Sequence, residues 1–519
     1  MATTGAKRVA LIAALEAKEP GLFHQYQLAQ KGIDSLREYC QESGQYPLTG
    51  KGRTNMYAAF AELAWQIVSP HGRVGILVPS GIASDKTTMN FFAALTDSNR
   101  LRRLYDFENK KVFFPEVHAS FKFCILNFSG ADTKTAAADF VFFAHSVEDL
   151  EETNRHIALS GGDIALLNPN TRTCPIFRTR RDAEITKDIY RRVPVLIDHH
   201  RKGPTANPWS IRFKQGLFNQ TADSALFLES EDLKKKGAIL EGNRWKEGKD
   251  VYLPVYEAKM IQAYDHRAAS IIADETNWVR QGQTGETSSA EHRNPEFAVL
   301  PRYWVLNREV SDLPMWGCLA FKDVTSPTNR RTMIAAFLPM AGIVNSAPFI
   351  QSSVSTLLQS CLLGILNSFA YDFIVRQKVS NVHLNFFIVE QAATLPPDTF
   401  CKPCPWAKKM KLENWISDRV LKLTCTSEDM LPFAEACNFT AGSFQKEYGG
   451  KLHKWDESDR AELMAELDAA FFHLYGIAED DVRYILSTFN GIHEPQDRLF
   501  SEHCSVAERI LQKYKEFQC

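Results

Sequence analysis

The sequence predicts an α/β fold, and three observations between residues 55 and 130 carry that prediction. A helical pattern, NMYAAFAELAWQIVS, is followed by a short apolar run, RVGILVPSG, bounded by Gly and Pro. A second helical pattern, TTMNFFAALTD, comes next. Two further strand patterns, LRRLYDFEN and FKFCILNFSG, end the stretch. Strands that alternate with helices predict a mostly parallel sheet covered on both faces.

The elements of this stretch are defined by the spacing of their apolar residues. The first helix repeats them at intervals of three and four, at Met56, Phe60, Leu63 and Ile67, and the Pro70-His71-Gly72 turn ends it. The apolar run of the following strand is typical of a strand buried on both faces; it consists of Val74, Ile76, Leu77 and Val78.

Bulk composition is that of an ordinary soluble globular protein. The chain has 519 residues, 45% hydrophobic and 24% charged, which allows two to four domains. A net charge of -2 neither favours nor excludes nucleic acid, because a local basic stripe can be balanced by acid elsewhere. No long uncharged apolar run or signal peptide is present, and the eleven cysteines lack regular spacing. We therefore expect a cytoplasmic protein with reduced thiols.

The run from YPLTGKGRTNMYAAF to FKFCILNF resembles the second half of the methyltransferase domain in large gamma-class adenine-specific DNA methyltransferases. These are enzymes of type IIG restriction-modification and phage-defence systems. Further similar segments are NPNTRTCPIF, LPVYEAKMIQAYDHRAAS, TSPTNRRT and YDFIVRQKVSNVHLNFF. The resemblance implies a partial Rossmann-like methyltransferase sheet, followed by a mixed α+β target recognition domain and C-terminal helices.

Two motifs of that family are missing from the sequence. There is no Gly-rich turn between a strand and a helix where S-adenosylmethionine would bind, since Gly72 to Gly75 and Gly161-Gly162 are placed differently. There is no Asn-Pro-Pro-aromatic motif, and Asn168-Pro169-Asn170 is only a superficial match in a loop. We therefore expect a fragment, one subunit of a split enzyme or a degenerate member, with the cofactor bound by a partner chain or by an N-terminal half.

Five regions are predicted. They are an N-terminal helical segment (1–45), the second half of the methyltransferase-like domain (46–150), a basic connector (151–208), the target recognition domain (209–400) and a C-terminal helical region (401–519).

The resemblance also implies site residues. An aromatic side chain at the end of FKFCILNFSG would stack on a flipped base, which favours Phe128 and then Phe123. For Phe121 and Phe123 a core position is the favoured interpretation, because Phe is among the residues most often buried. Candidate DNA contacts are cations and polar residues in loops, in the basic connector and in the recognition region. They are Lys51, Arg53, Arg172, Arg178, Arg180, Arg181, Lys259, His266, Arg267, Thr325, Asn329, Arg330, Arg331, Arg376, Lys378, His383 and Asn385.

Two weaker patterns point to metals. Asp250 with Glu257-Ala258-Lys259 has the outline of a Mg²⁺-dependent nuclease site, and the match is loose. Cys401 and Cys404 form a Cys-x-x-Cys pair without a second pair at zinc spacing, so no metal site is expected.

The leading hypothesis is the DNA-binding, target-recognition part of an adenine-specific DNA methyltransferase, acting on double-stranded DNA together with a cofactor-binding half or other defence-system subunits. The alternatives are a non-catalytic DNA specificity subunit and, less favoured, a Mg²⁺-dependent nuclease. The sequence gives neither the recognised DNA site nor the stoichiometry.

Overall fold

The computed structural model describes residues 5–52, 54–272, 282–379, 382–439, 452–501 and 503–518. The chain divides into two compact units, residues 1–183 and 184–519. The division falls within the stretch predicted as a basic connector, and the other predicted domain boundaries stay predictions. The fold is mixed α/β, as the sequence predicts.

The first unit contains six α-helices and five strands in its described residues. The helices are α1 (Gly5–Lys18), α2 (Pro20–Glu42), α3 (Met56–Ile67), α4 (Gly81–Ser84), α5 (Met89–Asp97) and α6 (Gly161–Leu167). The strands are β1 (Arg73–Pro79), β2 (Leu101–Glu108), β3 (Lys122–Ser129), β4 (Ala138–Ala144) and β5 (Ile157–Leu159). A further helix, α7 (Arg180–Arg192), begins at the end of this unit.

The sheet of the first unit has the order β1-β3-β2-β4-β5, and the prediction of a mostly parallel sheet is wrong. The chain passes from β1 through α5 to β2, and these two strands run in the same direction. β3 then returns from β2 and inserts between them, antiparallel to both. Among the paired strands of this sheet only β2 and β4 are parallel neighbours. Strands and helices alternate only as far as β2. The expectation that a helical connection joins parallel strands therefore applies only to the connection from β1 through α5 to β2.

Apolar side chains of β1 and α3 in the first unit are exposed to solvent. β1 pairs with β3 alone and forms an edge of the sheet within the described residues. Leu77 is 53% exposed, so the prediction of a strand buried on both faces is wrong. On α3, Phe60 is 58% and Ile67 74% exposed, although an amphipathic helix ordinarily turns such residues to the core.

Helix α3 instead buries small residues and one carboxylate. Ala58, Ala59 and Ala61 pack inward, and Glu62 is fully buried. Glu62 accepts hydrogen bonds from the backbone N–H and the hydroxyl of Thr49, at 2.8 and 2.7 Å. This pairing satisfies a carboxylate that would otherwise be costly to bury, and it fixes the loop that carries Lys51. Helices α1 and α2 expose a further set of apolar side chains, including Val9, Leu11, Leu22, Leu28, Ile33 and Tyr39.

The second unit contains two main sheets, one mixed and one antiparallel, together with a set of helices. Its helices after α7 are α8 (Ser230–Lys235), α9 (Ser289–Arg293), α10 (Thr356–Asn367), α11 (Phe369–Arg376), α12 (Phe386–Glu390), α13 (Leu412–Thr424), α14 (Leu431–Ala436), α15 (Glu457–Leu474), α16 (Glu479–Ser487) and α17 (Val506–Glu516).

The strands of the second unit fall mainly into two sheets. One has the order β12-β9-β8-β7 with β15 beside β9, and the other the order β14-β13-β16-β6. The strands are β6 (Ile211–Lys214), β7 (Ile239–Glu241), β8 (Arg244–Glu247), β9 (Asp250–Tyr256), β10 (Ala269–Ile271), β11 (Thr284–Glu286), β12 (Trp304–Leu306), β13 (Cys318–Phe321), β14 (Ala335–Leu338), β15 (Gly342–Ile343), β16 (Phe349–Ser352), β17 (Pro403–Cys404) and β18 (Ala407–Lys411).

Two predictions for the second unit are informative. WGCLAFKDVTSPTNRRTMIAAFLP forms antiparallel β13 and β14 around a polar loop, as predicted. The stretch CLLGILNSFAYDFIVRQK, which the sequence predicts as one helix, is instead divided between α10 and α11, which are bent by 58°. Ser368 begins α11 by accepting the N–H of Tyr371. Among the described residues no single helix is long and apolar enough to cross a membrane, although this bent pair passes by length and composition.

Candidate nucleic-acid interface

The first part of the candidate interface lies where β1 and β2 end, the position at which open α/β sheets place their ligands. Ser80, directly after β1, donates a hydrogen bond to the carboxylate of Asp106 on β2. Asp106 is almost fully buried, and the N–H of Phe143 lies 3.4 Å from its second oxygen. Burial raises the pKa of Asp106, while nearby Lys122 and these hydrogen bonds act in the opposite direction. A buried carboxylate with a raised pKa at a strand end is typical of a functional site.

Aromatic side chains gather beside this carboxylate. Phe123, at the start of β3, is half-buried, and its ring stacks on Phe107 with centroids 5.2 Å apart. Phe113 and Phe114 meet Phe123 edge-on. Phe114 is exposed, so part of the cluster is open to solvent. Such a surface suits a flat heterocycle, which stacks on aromatic rings.

Two cations flank a strained aromatic residue at the same end of the sheet. Phe143 has a φ of +57°, a conformation that costs free energy for a bulky residue. The cationic groups of Lys122 and Arg178 lie over its ring, 4.1 Å and 4.4 Å from the ring centroid. The backbone strain is therefore held in place by two cation–π contacts and by the Asp106 hydrogen bond to the same residue.

Phe128, the preferred base-stacking residue from the sequence, lies elsewhere. It is fully buried at the far end of β3, and its ring packs edge-on against Phe91 of α5. A side chain without exposed surface cannot stack on an incoming base, so the position suited to that role moves to Phe123. The strand's alternation explains the difference, because Phe121 and Phe123 lie on one face and Phe128 on the other.

The basic residues predicted near α7 are exposed. Arg178, Arg180 and Arg181 all lie on the surface of the first unit. Asp182 is buried instead and accepts the N–H groups of Arg178 and Thr179 at 3.1 and 2.9 Å. This carboxylate fixes the turn that presents the three arginines, and an acidic group near a helix start also complements the helix dipole.

The remaining predicted DNA contacts in the first unit differ in their exposure to solvent. Arg172 is half-buried, has a φ of +54° and pairs with Asp97 at 3.3 Å. Lys51 is exposed, and Arg53 lies outside the described residues.

In the second unit several predicted DNA contacts are buried. His266 is 3.0 Å from the carboxylate of Asp429. Arg267 is fully buried and donates to the carbonyl groups of Asn294, Phe297 and His292 at 2.9 to 3.0 Å. Side chains that are almost completely buried cannot reach a duplex, so these two residues hold the fold. The Asp-His-Arg segment, which the sequence suggests for DNA, is a structural element.

Of the predicted DNA contacts in the loop between β13 and β14, some are buried and others are exposed. Thr325 and Arg331 are buried, with Thr325 bonded to the carbonyl of Thr332 and Arg331 paired with Asp468. Asn329 and Arg330 are exposed at the tip. Arg376 supports the tip from α11, since its guanidinium donates to the carbonyls of both Asn329 and Arg330 and pairs with Asp372 at 2.9 Å.

Four further predicted contacts complete the set. Lys259 is exposed and pairs with Glu257 at 3.2 Å. His383 and Asn385 are exposed, and His383 bonds Asp323 at 2.9 Å. Lys378 is buried over the ring of Tyr190, 4.8 Å from its centroid, and is therefore a structural residue.

The outline of a nuclease site is not realised. Asp250 begins β9 and Glu257 follows its end, so the two carboxylates lie at opposite ends of the strand. Seven residues of extended chain separate them by roughly 23 Å. Within the described ranges, no group of three or more His, Cys, Asp or Glu side chains is placed to hold a metal ion.

Comparison with known proteins supports a restriction-modification context. Residues 26–113 match the family model of the Eco57I restriction-modification methylase. The match covers most of α2, then α3, β1, α5, β2 and the start of the following loop. No curated protein matches the chain.

Two solved structures are similar over most of the chain at low identity. The type IIG restriction endonuclease BpuSI is 11% identical, with a TM-score of 0.26, over 83% of this chain and 50% of that one. The type IIL restriction-modification enzyme MmeI, solved in complex with DNA, is 12% identical, with a TM-score of 0.39, over 89% of this chain and 51% of that one. The chain thus spans about half the length of the structures it matches.

Methylases of the matched family generally use S-adenosylmethionine, and the two glycine segments that come nearest to a cofactor turn in the sequence contain Gly72 and Gly161. A cofactor turn needs glycines whose missing side chains leave space for the ligand. A Cβ on Gly161 would instead lie 2.8 Å from the carbonyl oxygen of Thr96. One on Gly72 would lie 2.6 Å from the hydroxyl of Ser69. These glycines permit close packing within the chain.

Sequence reasoning missed three residues that organise the candidate interface: Ser80, Asp106 and Asn109. Asn109 is buried, and its amide group donates to the carbonyls of Phe114 and Val117 at 2.8 and 3.0 Å and accepts the N–H of Phe114. It thereby shapes the loop that carries Phe113 and Phe114. A polar residue inside or directly after an apolar strand pattern was the available signal.

Proposed function

We propose that this chain is the DNA-binding, target-recognition part of an adenine-specific (N6) DNA methyltransferase of a restriction-modification or phage-defence system. S-adenosylmethionine and the Asn-Pro-Pro-aromatic motif are supplied by a partner chain or by an N-terminal half. Target adenine stacks on the Phe123 cluster at the ends of β1 and β2. The family match over residues 26–113 supports the methylase role.

The uncovered apolar surface around β1 is the observation that carries this proposal. An edge strand with unpaired backbone groups accepts another strand, and exposed apolar side chains mark a protein–protein contact. Phe60, Ile67 and Leu77 supply such side chains next to the free edge of the sheet. The cofactor-binding half docks here and completes the methyltransferase sheet.

DNA is held by the exposed cations and polar groups among the predicted contacts. In the first unit these are Lys51, Arg178, Arg180 and Arg181. In the second unit they are Lys259, Asn329, Arg330, His383 and Asn385. Arginine and lysine side chains contact phosphate groups, and Asn and Arg side chains also read base edges.

Reconstituted methyl transfer tests the docking. The chain is mixed with a protein that bears the cofactor turn and the Asn-Pro-Pro-aromatic motif, and transfer of labelled methyl groups to DNA is measured. Phe60→Glu and Leu77→Glu are expected to reduce transfer at least tenfold, because a charge would be buried at the contact. Met315→Glu, an exposed position shortly before β13 in the second unit, is the matched control. Methyl transfer by the chain alone would overturn the proposed division of labour.

DNA binding is tested separately with a labelled duplex. The double change Arg180→Ala, Arg181→Ala is expected to weaken binding of all sequences about equally. It should also reduce the salt dependence, by about 0.9 in slope for each phosphate group that the protein no longer neutralises. Arg483→Ala removes an exposed arginine that pairs with Glu479 and is the control. Unchanged affinity and slope in the double variant would remove the basic turn from the interface.

A non-catalytic DNA specificity subunit is the second candidate. The lack of a Gly-rich cofactor turn between a strand and a helix in the sequence supports this second candidate. The two are distinguished by the reconstitution, since a specificity subunit retains DNA binding and never supports methyl transfer with any cofactor-binding half.

A further inference from the structure

A cavity of about 590 Å³ lies within the second unit, beneath the loop between β13 and β14. Its other walls are the first turns of α15 and the segment that leads into α17. This volume falls in the range of small-molecule sites. The cavity is distinct from the surface proposed for DNA stacking at the ends of β1 and β2.

The cavity has an excess of positive charge. Four cationic side chains line it, Lys322, Arg330, Arg331 and Arg460, against two carboxylates, Glu457 and Asp468. The difference, four minus two, is two positive charges. Arg331 is neutralised by Asp468 at 2.8 Å, and Glu457 pairs outward with Arg293 at 3.0 Å.

Three of the cations have no ion-pair partner in the part of the chain that the structure describes. Lys322 is half-buried, and burial lowers its pKa. Arg460 is buried, lies 3.7 Å from the ring centroid of Trp455 and donates to the carbonyl of Leu423. Arg330 stands exposed at the rim. Cations that are withdrawn from water without a carboxylate are stabilised when an anion binds beside them.

One wall of the cavity is apolar and carries a single unsatisfied donor. Val324, Ile334, Met464 and Phe500 form the apolar part. Trp455 is buried, with His292 stacked 3.8 Å from its ring, and its indole N–H has no acceptor among the described residues. Because an indole can only donate, this N–H suits a ligand that offers an acceptor atom. The ligand therefore combines an anionic end, an apolar flat body and an acceptor nitrogen or oxygen.

We propose that this cavity binds a nucleoside monophosphate, either as a free nucleotide or as the 5′-phosphorylated end of a nucleic-acid strand. A phosphate monoester carries about -1.5 to -2 charge at pH 7, which matches the two positive charges of Lys322 and Arg330, whereas an internal phosphodiester carries about half of that. Lys322 and Arg330 bind the phosphate, and the base lies on the apolar wall with a ring acceptor on the indole N–H. The cavity shares Asn329 and Arg330 with the proposed DNA contacts, but nucleotide binding here requires neither methyl transfer nor the proposed partner half.

Titration calorimetry on the full chain tests the proposal, with AMP as the probe and adenosine and inorganic phosphate as comparisons. We expect AMP to bind at least tenfold more tightly than either comparison. Lys322→Met and Arg330→Gln are each expected to weaken AMP binding at least tenfold. Arg308→Gln, an exposed arginine paired with its neighbour Glu309, is the matched control and leaves it unchanged. Thermal unfolding establishes that each variant is folded.

Two further measurements sharpen the result. AMP affinity is expected to fall as the pH drops below about 6, because the phosphate loses its second charge there. A 5′-phosphorylated dinucleotide that binds more tightly than AMP, and more tightly than its 5′-hydroxyl counterpart, assigns the ligand to a strand end; the reverse order assigns it to a free nucleotide. Absence of AMP and dinucleotide binding at millimolar concentration, or unchanged binding in both folded variants, overturns the proposal. The calorimetry uses neither DNA nor the proposed partner half, so failure of AMP binding and failure of reconstituted methyl transfer are told apart, although Arg330 belongs to both proposed sites.

Discussion

The guanidinium of Arg331 lies 2.8 Å from the carboxylate of Asp468, and both side chains are almost completely buried. The ring of Phe369 lies 3.9 Å from the same guanidinium. Asp468 also accepts the N–H of Phe369 at the start of α11, at 2.7 Å. The pair therefore joins the β13–β14 loop, α11 and α15, and places its neighbour Arg330 at the surface.

Removal of one member of this pair is expected to destabilise the second unit. Asp468→Ala leaves the guanidinium of Arg331 buried without its partner, so the free energy of unfolding falls by about 3–5 kcal/mol. Denaturant titration measures the loss. Arg330→Ala, one residue away and exposed, is expected to change stability by less than about 0.5 kcal/mol. Equal losses in the two variants would contradict a structural role confined to Arg331.

Arg267 is expected to be irreplaceable by lysine. Its planar fork serves several carbonyl groups at once, and an ammonium group has neither that reach nor that geometry. Arg267→Lys should lower the free energy of unfolding by at least about 2 kcal/mol, because buried carbonyls lose their donors. Arg293→Lys, an exposed arginine that pairs with Glu457, is the control. DNA affinity should be unchanged in any Arg267→Lys protein that remains folded.

The contact between Asp429 and His266 predicts a loss of stability in acid. Burial alone would raise the pKa of Asp429, but His266, Ser427 and Arg267 lower it to about 2. A carboxylate whose folded pKa lies below its unfolded value near 3.9 stabilises the fold above that value. This contribution, on the order of 2 kcal/mol, is lost as the pH falls from about 4 to about 2. Asp429→Asn should remove that part of the pH dependence in denaturant titrations, and a variant with the wild-type slope would refute the assignment.

For Asp106 we expect a pH dependence of stability opposite to that of Asp429. Burial raises its pKa, so the ionised carboxylate is less favourable in the folded chain than in the unfolded one. Stability contributed by this group therefore falls as the pH rises through the unfolded and then the folded pKa. Asp106→Asn is expected to stabilise the first unit by about 1 kcal/mol at pH 7, the usual gain at a strained functional position, and to differ little from wild type at pH 4.

The functional cost of that change is a second readout. Asp106→Asn should reduce reconstituted methyl transfer even though the protein is more stable, because the carboxylate positions Ser80 and Phe143 at the proposed site. Thermal unfolding at both pH values and the transfer assay are compared on the same preparation. A variant less stable than wild type at pH 7 would contradict the predicted stabilisation.

Several features followed from the sequence because they depend on local spacing. The helix–strand–helix order from α3 to β2 and the β13–β14 hairpin are read directly from apolar periodicity and turn residues. The insertion of β3 between β1 and β2 was not predictable in this way, because the pairing of strands is a long-range property.

The site residues show why residue type alone misleads. Arg267 and Arg331 have the composition expected of DNA contacts, yet each is buried beside partners that are distant in sequence, such as Thr426 and Asp468. Arg330 and Arg331 are adjacent and have opposite surroundings. Burial decides between the two roles, and it depends on which remote segment packs against each loop.

The free edge of β1 has a practical and a cellular consequence. A chain synthesised alone presents hydrogen-bonding groups and bare aliphatic side chains to every neighbouring copy, so it is prone to precipitate or to be removed by quality-control proteases. Simultaneous synthesis with the proposed cofactor-binding half would shield that edge as it emerges. The abundance of this protein in the cell should therefore follow the abundance of whatever protects β1.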